Sequence, residues 1–159
     1  MFNKYIYLAP GGFTMPYTLG ICKFIKENYS PILTNEYKFI GASAGSWLAV
    51  YLASDMYLDD LLIYNYKKKF EKKSIIYKWH NICPFLTEQY KHNIKNTKFI
   101  DDKKIKISVT EYNNKKKTFQ NNLIDDYNNL DELLTLCSQS SYIPVLSGLN
   151  IPRRNNVIT

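Results

Sequence analysis

The chain has 159 residues, 45% hydrophobic and 15% aromatic, with 21 Lys and Arg against 14 Asp and Glu for a formal charge of +7. That is apolar enough to bury a core and excludes a wholly disordered chain. No run of about 18 consecutive apolar residues exists to form a membrane-spanning helix.

The opening Met1-Phe2-Asn3-Lys4 leads into strand-like sequence and not into the apolar core of an export signal. Cys22, Cys83 and Cys137 are an odd number at wide spacing, which suits reduced thiols better than a disulfide framework or a zinc site. The expected setting is intracellular, cytoplasmic or peripheral to a membrane, with no metal or cofactor. The basic excess comes almost wholly from lysine, clustered at 67–69, 72–73, 103–104 and 115–117, since Arg153 and Arg154 are the only arginines. Such a surface suits an anionic partner or is simply a solvated face. No recognised nucleic-acid module accompanies it, so nucleic acid is not the expected partner.

Lys4 to Ala9 reads as a short buried strand that ends at Pro10-Gly11-Gly12. Leu19, Cys22, Phe24, Ile25 and Tyr29 then follow a helical spacing from Pro16 to about Asn28, and Ser30-Pro31 is expected to break it. Glu36 to Ile40 is a second strand, Gly41 ends it, and a helix is expected from Ala44 to Ser54. Strand, glycine turn, helix, strand, tight turn and helix form the order of a parallel α/β sheet with crossover helices.

Leu58 to Phe70 looks helical, with lysines toward its end, where the helix dipole favours cations. Pro84 is expected to divide the next stretch, leaving a helix from Phe85 to about Ile94. Lys104 to Thr110 alternates as a strand. Asn113-Asn114 reads as a hairpin turn into Lys115 to Gln120. Asn128 or Asn129 is placed to cap a helix from Leu130 to Ser140, and a polar tail follows Tyr142 to Leu146. No repeat or linker divides the chain, so residues 1–159 read as one domain.

The strongest chemical signal is Gly41-Ala42-Ser43-Ala44-Gly45, a G-x-S-x-G directly after an expected strand and before an expected helix. A serine at such a bend exposes its hydroxyl on strained backbone, and the flanking glycines give room for a close approach of chain segments. The plainer reading is a helix N-cap serine. The second signal is Ala9-Pro10-Gly11-Gly12-Phe13, where adjacent glycines can expose backbone N–H groups as an oxyanion hole or phosphate cradle, or can simply form a βα turn. In a parallel sheet both loops lie at the carboxyl ends of neighbouring strands, where such folds place their sites.

With these residues in view the chain resembles the patatin-like phospholipase family, most closely the branch that includes adipose triglyceride lipase. The resemblance rests on Ala9 to Phe13 with Tyr17-Thr18-Leu19-Gly20, on Phe39 to Gly45, and on Cys137-Ser138-Gln139-Ser140-Ser141-Tyr142-Ile143-Pro144-Val145. It implies a three-layer α/β fold with a mostly parallel central sheet and a nucleophile elbow formed by Gly41, Ala42, Ala44 and Gly45. It also implies Ser43 as the nucleophile of a Ser–Asp dyad, and backbone N–H groups of Gly11, Gly12 and Phe13 as oxyanion donors. The implied substrate is a lipid ester, phospholipid or acylglycerol. No catalytic histidine is implied, in keeping with His80 and His92 lying outside the matching stretches.

Two departures stand out. Pro10, Thr14 and Met15 replace residues of the family's glycine loop, and nowhere is an Asp followed by Gly, the family's motif for the catalytic aspartate. Asp101, Asp102, Asp125, Asp126 and Asp131 do not lie at the matching position. A serine hydroxyl without a base is a weak nucleophile. The expectation is therefore a chain truncated at its C-terminus, whose carboxylate comes from another segment or a second chain, or a non-catalytic remnant that binds lipid or a protein partner. An anionic membrane surface is the further partner expected for the basic helix end with Tyr64, Tyr66 and Phe70.

Overall fold

The computed structural model describes residues 4–57, 60–113, 116–143, 153–154 and 157–158. Strand β1 (Lys4–Leu8) ends in a single 3-10 turn at Gly12–Thr14, from which helix α1 (Met15–Glu36) departs. Strand β2 (Tyr37–Ala42) turns at Ser43 into α2 (Ala44–Ala53). Helices α3 (Asp60–Phe70), α4 (Ile75–Asn93) and α5 (Lys98–Asp101) lead to β3 (Ile105–Asn113), β4 (Thr118–Ile124) and α6 (Leu130–Ser140). Two short strands, β5 (Arg153–Arg154) and β6 (Val157–Ile158), complete the described elements.

The fold is α/β. Strands β1, β2 and β3 are parallel neighbours, with Leu8 opposite Gly41 and Gly41 opposite Ile107. Strand β4 returns antiparallel along the outer side of β3, and β6 pairs with β3 at Tyr112.

One face of this sheet carries Leu8, Phe39, Gly41, Ile105, Ile107, Val109 and Ile124, all buried under helices. The other carries Tyr5, Tyr7, Lys106, Ser108 and Leu123, with Tyr7 60% exposed. Where three layers were expected, the described residues therefore form two. The cause is topological. Right-handed crossovers that add β2 and then β3 in one direction place every connecting helix on the same side. The same geometry corrects the reading of Lys4 to Ala9 as a buried strand, because Leu8 is buried and Ile6 half-buried while Lys4, Tyr5 and Tyr7 are exposed.

Two prolines also behave differently from expectation. Helix α1 continues through Ser30-Pro31 to Glu36, and Leu33 beyond the proline is buried. Pro84 lies inside α4 instead of dividing it. Interior proline costs about 3 kcal/mol. Here that cost is offset by the aromatic contacts of its neighbours: Phe85 packs edge-on against Phe70 at 5.2 Å, and the Tyr90 hydroxyl donates to the Trp47 carbonyl at 2.7 Å. Asn129, not Asn128, caps α6, accepting from the Glu132 N–H at 2.9 Å while Glu132 reaches back to it. Residue 114 of the expected hairpin turn and residues 144–150 of the segment after Tyr142 lie outside the described residues, as does the start of the helix expected from Leu58.

Helices α1 and α2 are joined by a buried lysine. The Lys26 ammonium donates to the carbonyls of Tyr51, Ser54 and Met56 at 2.5, 2.7 and 2.7 Å, where α2 ends and its carbonyls lack helical partners. Burial pushes this lysine down to about 8, opposed by the nearby charge of Asp55.

Candidate active site

Ser43 has φ 52° and ψ −125°, a conformation that costs a non-glycine residue roughly 1–3 kcal/mol. Its backbone is held on both sides. Its N–H donates to Ser140 Oγ at 2.8 Å, and that hydroxyl donates in turn to the Ser108 carbonyl of β3 at 2.6 Å. Its carbonyl accepts from the N–H and the hydroxyl of Ser46 at 2.9 and 2.6 Å. The side chain makes no capping bond to α2, and an N-cap residue ordinarily has extended backbone. Ser43 is therefore a strained bend between β2 and α2 and not a helix-capping serine.

The flanking glycines are sterically required. A Cβ on Gly41 would lie 2.5 Å from Ser46 Cα, and one on Gly45 would lie 2.0 Å from the Leu8 carbonyl oxygen. The first turn of α2 thus rests directly on the end of β1, where the chain enters the glycine turn. Ala42 and Ala44, the small residues between, are both buried.

In that turn Gly12 has φ +46° and carries the left-handed residue itself. Met15, noted in the sequence as a departure from the glycine loop, sits in ordinary helical backbone at φ −49° and needs no such freedom. Thr14 donates to the Gly11 carbonyl through both its N–H and its hydroxyl, each at 2.8 Å. The N–H groups of Gly11, Gly12 and Phe13 stand at the beginning of helical structure, where a helix offers them no acceptor.

Gly12 and Ser43 line one cavity of about 390 Å³. Its walls are almost wholly apolar: Leu19 from α1, Trp47 from α2, Tyr66 and Phe70 from α3, and Trp79 and Phe85 from α4. The polar exceptions among the described lining residues are Ser43, Ser141 and three lysines, Lys23, Lys67 and Lys78. No acid or histidine is among them. Of the aspartates noted in the sequence, Asp125 pairs with Lys106 at 3.0 Å and Asp131 with Lys91 at 2.6 Å. Asp125 also follows Ile124, which pairs with Ile107, so the chain at that point runs toward the end of β3 away from the elbow.

Ser140 was not singled out from the sequence as a site residue, although the small-residue stretch that holds it was. Only the fold shows that this stretch passes the elbow. Among the described residues no group of three or more His, Cys, Asp and Glu is placed to hold a metal, and no helix is long and apolar enough to cross a membrane.

The arrangement defines a class, an α/β fold with a serine elbow opening on an apolar cavity. No family model, curated protein or solved structure matches the chain.

Proposed function

We propose that the chain is a serine acyl hydrolase for lipid esters, of patatin-like descent, with Ser43 as nucleophile. One observation carries the reading. A serine forced to positive φ, between two glycines that leave no space for a Cβ, forms part of an apolar cavity of about 390 Å³.

In this reaction Ser43 Oγ attacks the ester carbonyl while its proton passes to a carboxylate. The oxyanion that forms is met by N–H groups of the 11–13 turn and by the positive end of α2. The ester C–O bond then breaks, the leaving alcohol takes the proton, and water releases the acid from the acyl-serine by the reverse sequence. The carboxylate comes from a segment or second chain outside the cavity lining described above.

A second reading, a lipid-binding protein without turnover, is favoured by the lack of any acid or histidine among the described lining residues. A long-chain alkyl fluorophosphonate separates the two. Labelling of the wild type but not of Ser43→Ala supports the hydrolase. An unlabelled chain that still binds a fluorescent fatty acid supports the second reading, and absence of both overturns the site altogether.

A further inference from the structure

Helices α3 and α4 are joined by residues 71–74 and both wall the cavity, but their exposed residues have a different character. From Lys67 to Lys78 the sequence holds six lysines and one acid, Glu71. Lys67 and Lys78 line the cavity and Lys69 lies over the Phe85 ring, whereas Lys68, Lys72 and Lys73 are exposed and line no part of it; none of the six takes part in an ion pair among the described residues. Ile75 and Ile76 begin α4 at 59% and 58% exposure, with Tyr77 and, on α3, Ile63 and Tyr64 also exposed. Apolar side chains standing in water at the first turn of a helix contribute nothing to the core. They adjoin Lys78 and Trp79, which line the cavity. The aromatic contacts Tyr66–Phe70 and Phe70–Phe85 hold the two helices together behind them.

We propose that this surface docks the chain on an anionic lipid bilayer, Lys68, Lys72 and Lys73 lying against the headgroups and Ile75 and Ile76 entering the acyl boundary. The charge selects the partner. Unpaired lysines gain from an anionic surface, and the isoleucines distinguish a bilayer from a polyanion, which offers them no apolar phase. Lys67 and Lys78 also line the cavity, so docking on this surface brings one wall of the cavity to the membrane. The proposal goes beyond the chemistry of Ser43 and does not depend on it.

The test is co-flotation of the full chain with phosphatidylcholine vesicles, with and without phosphatidylserine. Each lysine near such a surface carries about a fivefold factor in partition. The triple variant Lys68→Gln, Lys72→Gln, Lys73→Gln, which leaves the cavity-lining lysines intact, should weaken binding about 100-fold. The pair Ile75→Ser, Ile76→Ser should weaken it about tenfold per residue, because each side chain loses an apolar environment. Both variants change exposed positions, and circular dichroism checks that they fold. Ser43→Ala should float like the wild type, so a failure here and a failure of fluorophosphonate labelling are told apart. Equal binding to neutral vesicles, or a triple variant that floats unchanged, overturns the proposal. So does retention on DNA at salt that abolishes flotation.

Discussion

Replacing Gly45 with alanine tests the elbow most directly. The new Cβ would stand 2.0 Å from the Leu8 carbonyl oxygen and 2.7 Å from that of Ala9. Ordinary contact begins near 3.4 Å, so α2 must withdraw from β1 by more than 1 Å, and neither partner is a side chain that can rotate away. Overpacking commonly costs 1–3 kcal/mol, and a backbone-to-backbone clash belongs at or beyond the upper end, about 3 kcal/mol. For a chain of this size that lowers Tm by roughly 6–12 °C.

Gly20→Ala is the matched control. Gly20 lies within α1, and a Cβ there meets nothing within 4 Å. Relief of glycine's backbone entropy in a helix should add about 0.5–1 kcal/mol, a rise of roughly 1–4 °C. Differential scanning calorimetry on the pair reads both signs. If Gly45→Ala melts within 2 °C of the wild type, the close approach of α2 to β1, and with it the elbow, is wrong.

Other outcomes follow from the same coordinates. Ser140→Ala leaves the Ser43 N–H without its acceptor. It should cost about 1–3 kcal/mol in chemical denaturation and slow fluorophosphonate labelling of Ser43, whereas Ser138→Ala should do neither. Asn129→Ala removes the cap of α6 and should lower stability by about 1 kcal/mol in the same assay.

Stability should also fall as pH rises above about 9. Burial raises Cys22 to about 11, Cys137 to about 12 and Tyr51 to about 12, so the folded chain keeps protons that the unfolded chain gives up. Lys26, lowered by burial to about 8, acts in the opposite sense. It is one group against six, since burial also raises Cys83, Tyr90 and Tyr127, and each contributes at most about 1.4 kcal/mol per pH unit. Urea titrations at pH 8.5 and 10.5 check the sign, and a midpoint that rises with pH contradicts it.

The parts of the fold legible in sequence are those with local causes. The elbow helix and the capped helix from Leu130 to Ser140 appear where spacing and capping residues place them, because both signals are short-ranged. The prolines misled for the opposite reason. A lost hydrogen bond at Pro31 or Pro84 is visible in the sequence, whereas the burial of Leu33, Phe85 and Tyr90 that offsets it depends on distant partners. The exposure of Tyr5 and Tyr7 was hidden likewise, since an apolar, aromatic strand reads the same whether one face is covered or two. At the site, Ser43 and the glycines of both turns could be named from spacing. Ser140 could not, because its role as an acceptor for Ser43 arises from a separation of 97 residues.

The Lys26 clamp has a mechanical consequence. By fastening the end of the second helix to the first at three carbonyls, it makes the helix after Ser43 and the Leu19 wall a single stiff jaw. The opposite jaw, formed by the third and fourth helices, is tied to that pair near the end of the fourth, through the Tyr90–Trp47 bond and through the Lys95 and Asn96 N–H groups on the Asp55 carboxylate. Breathing of the hollow is therefore borne by the aromatic jaw, and amide exchange should run faster along 63–80 than along 44–53. Equal rates in the two stretches would mean that the lysine fastens nothing that matters.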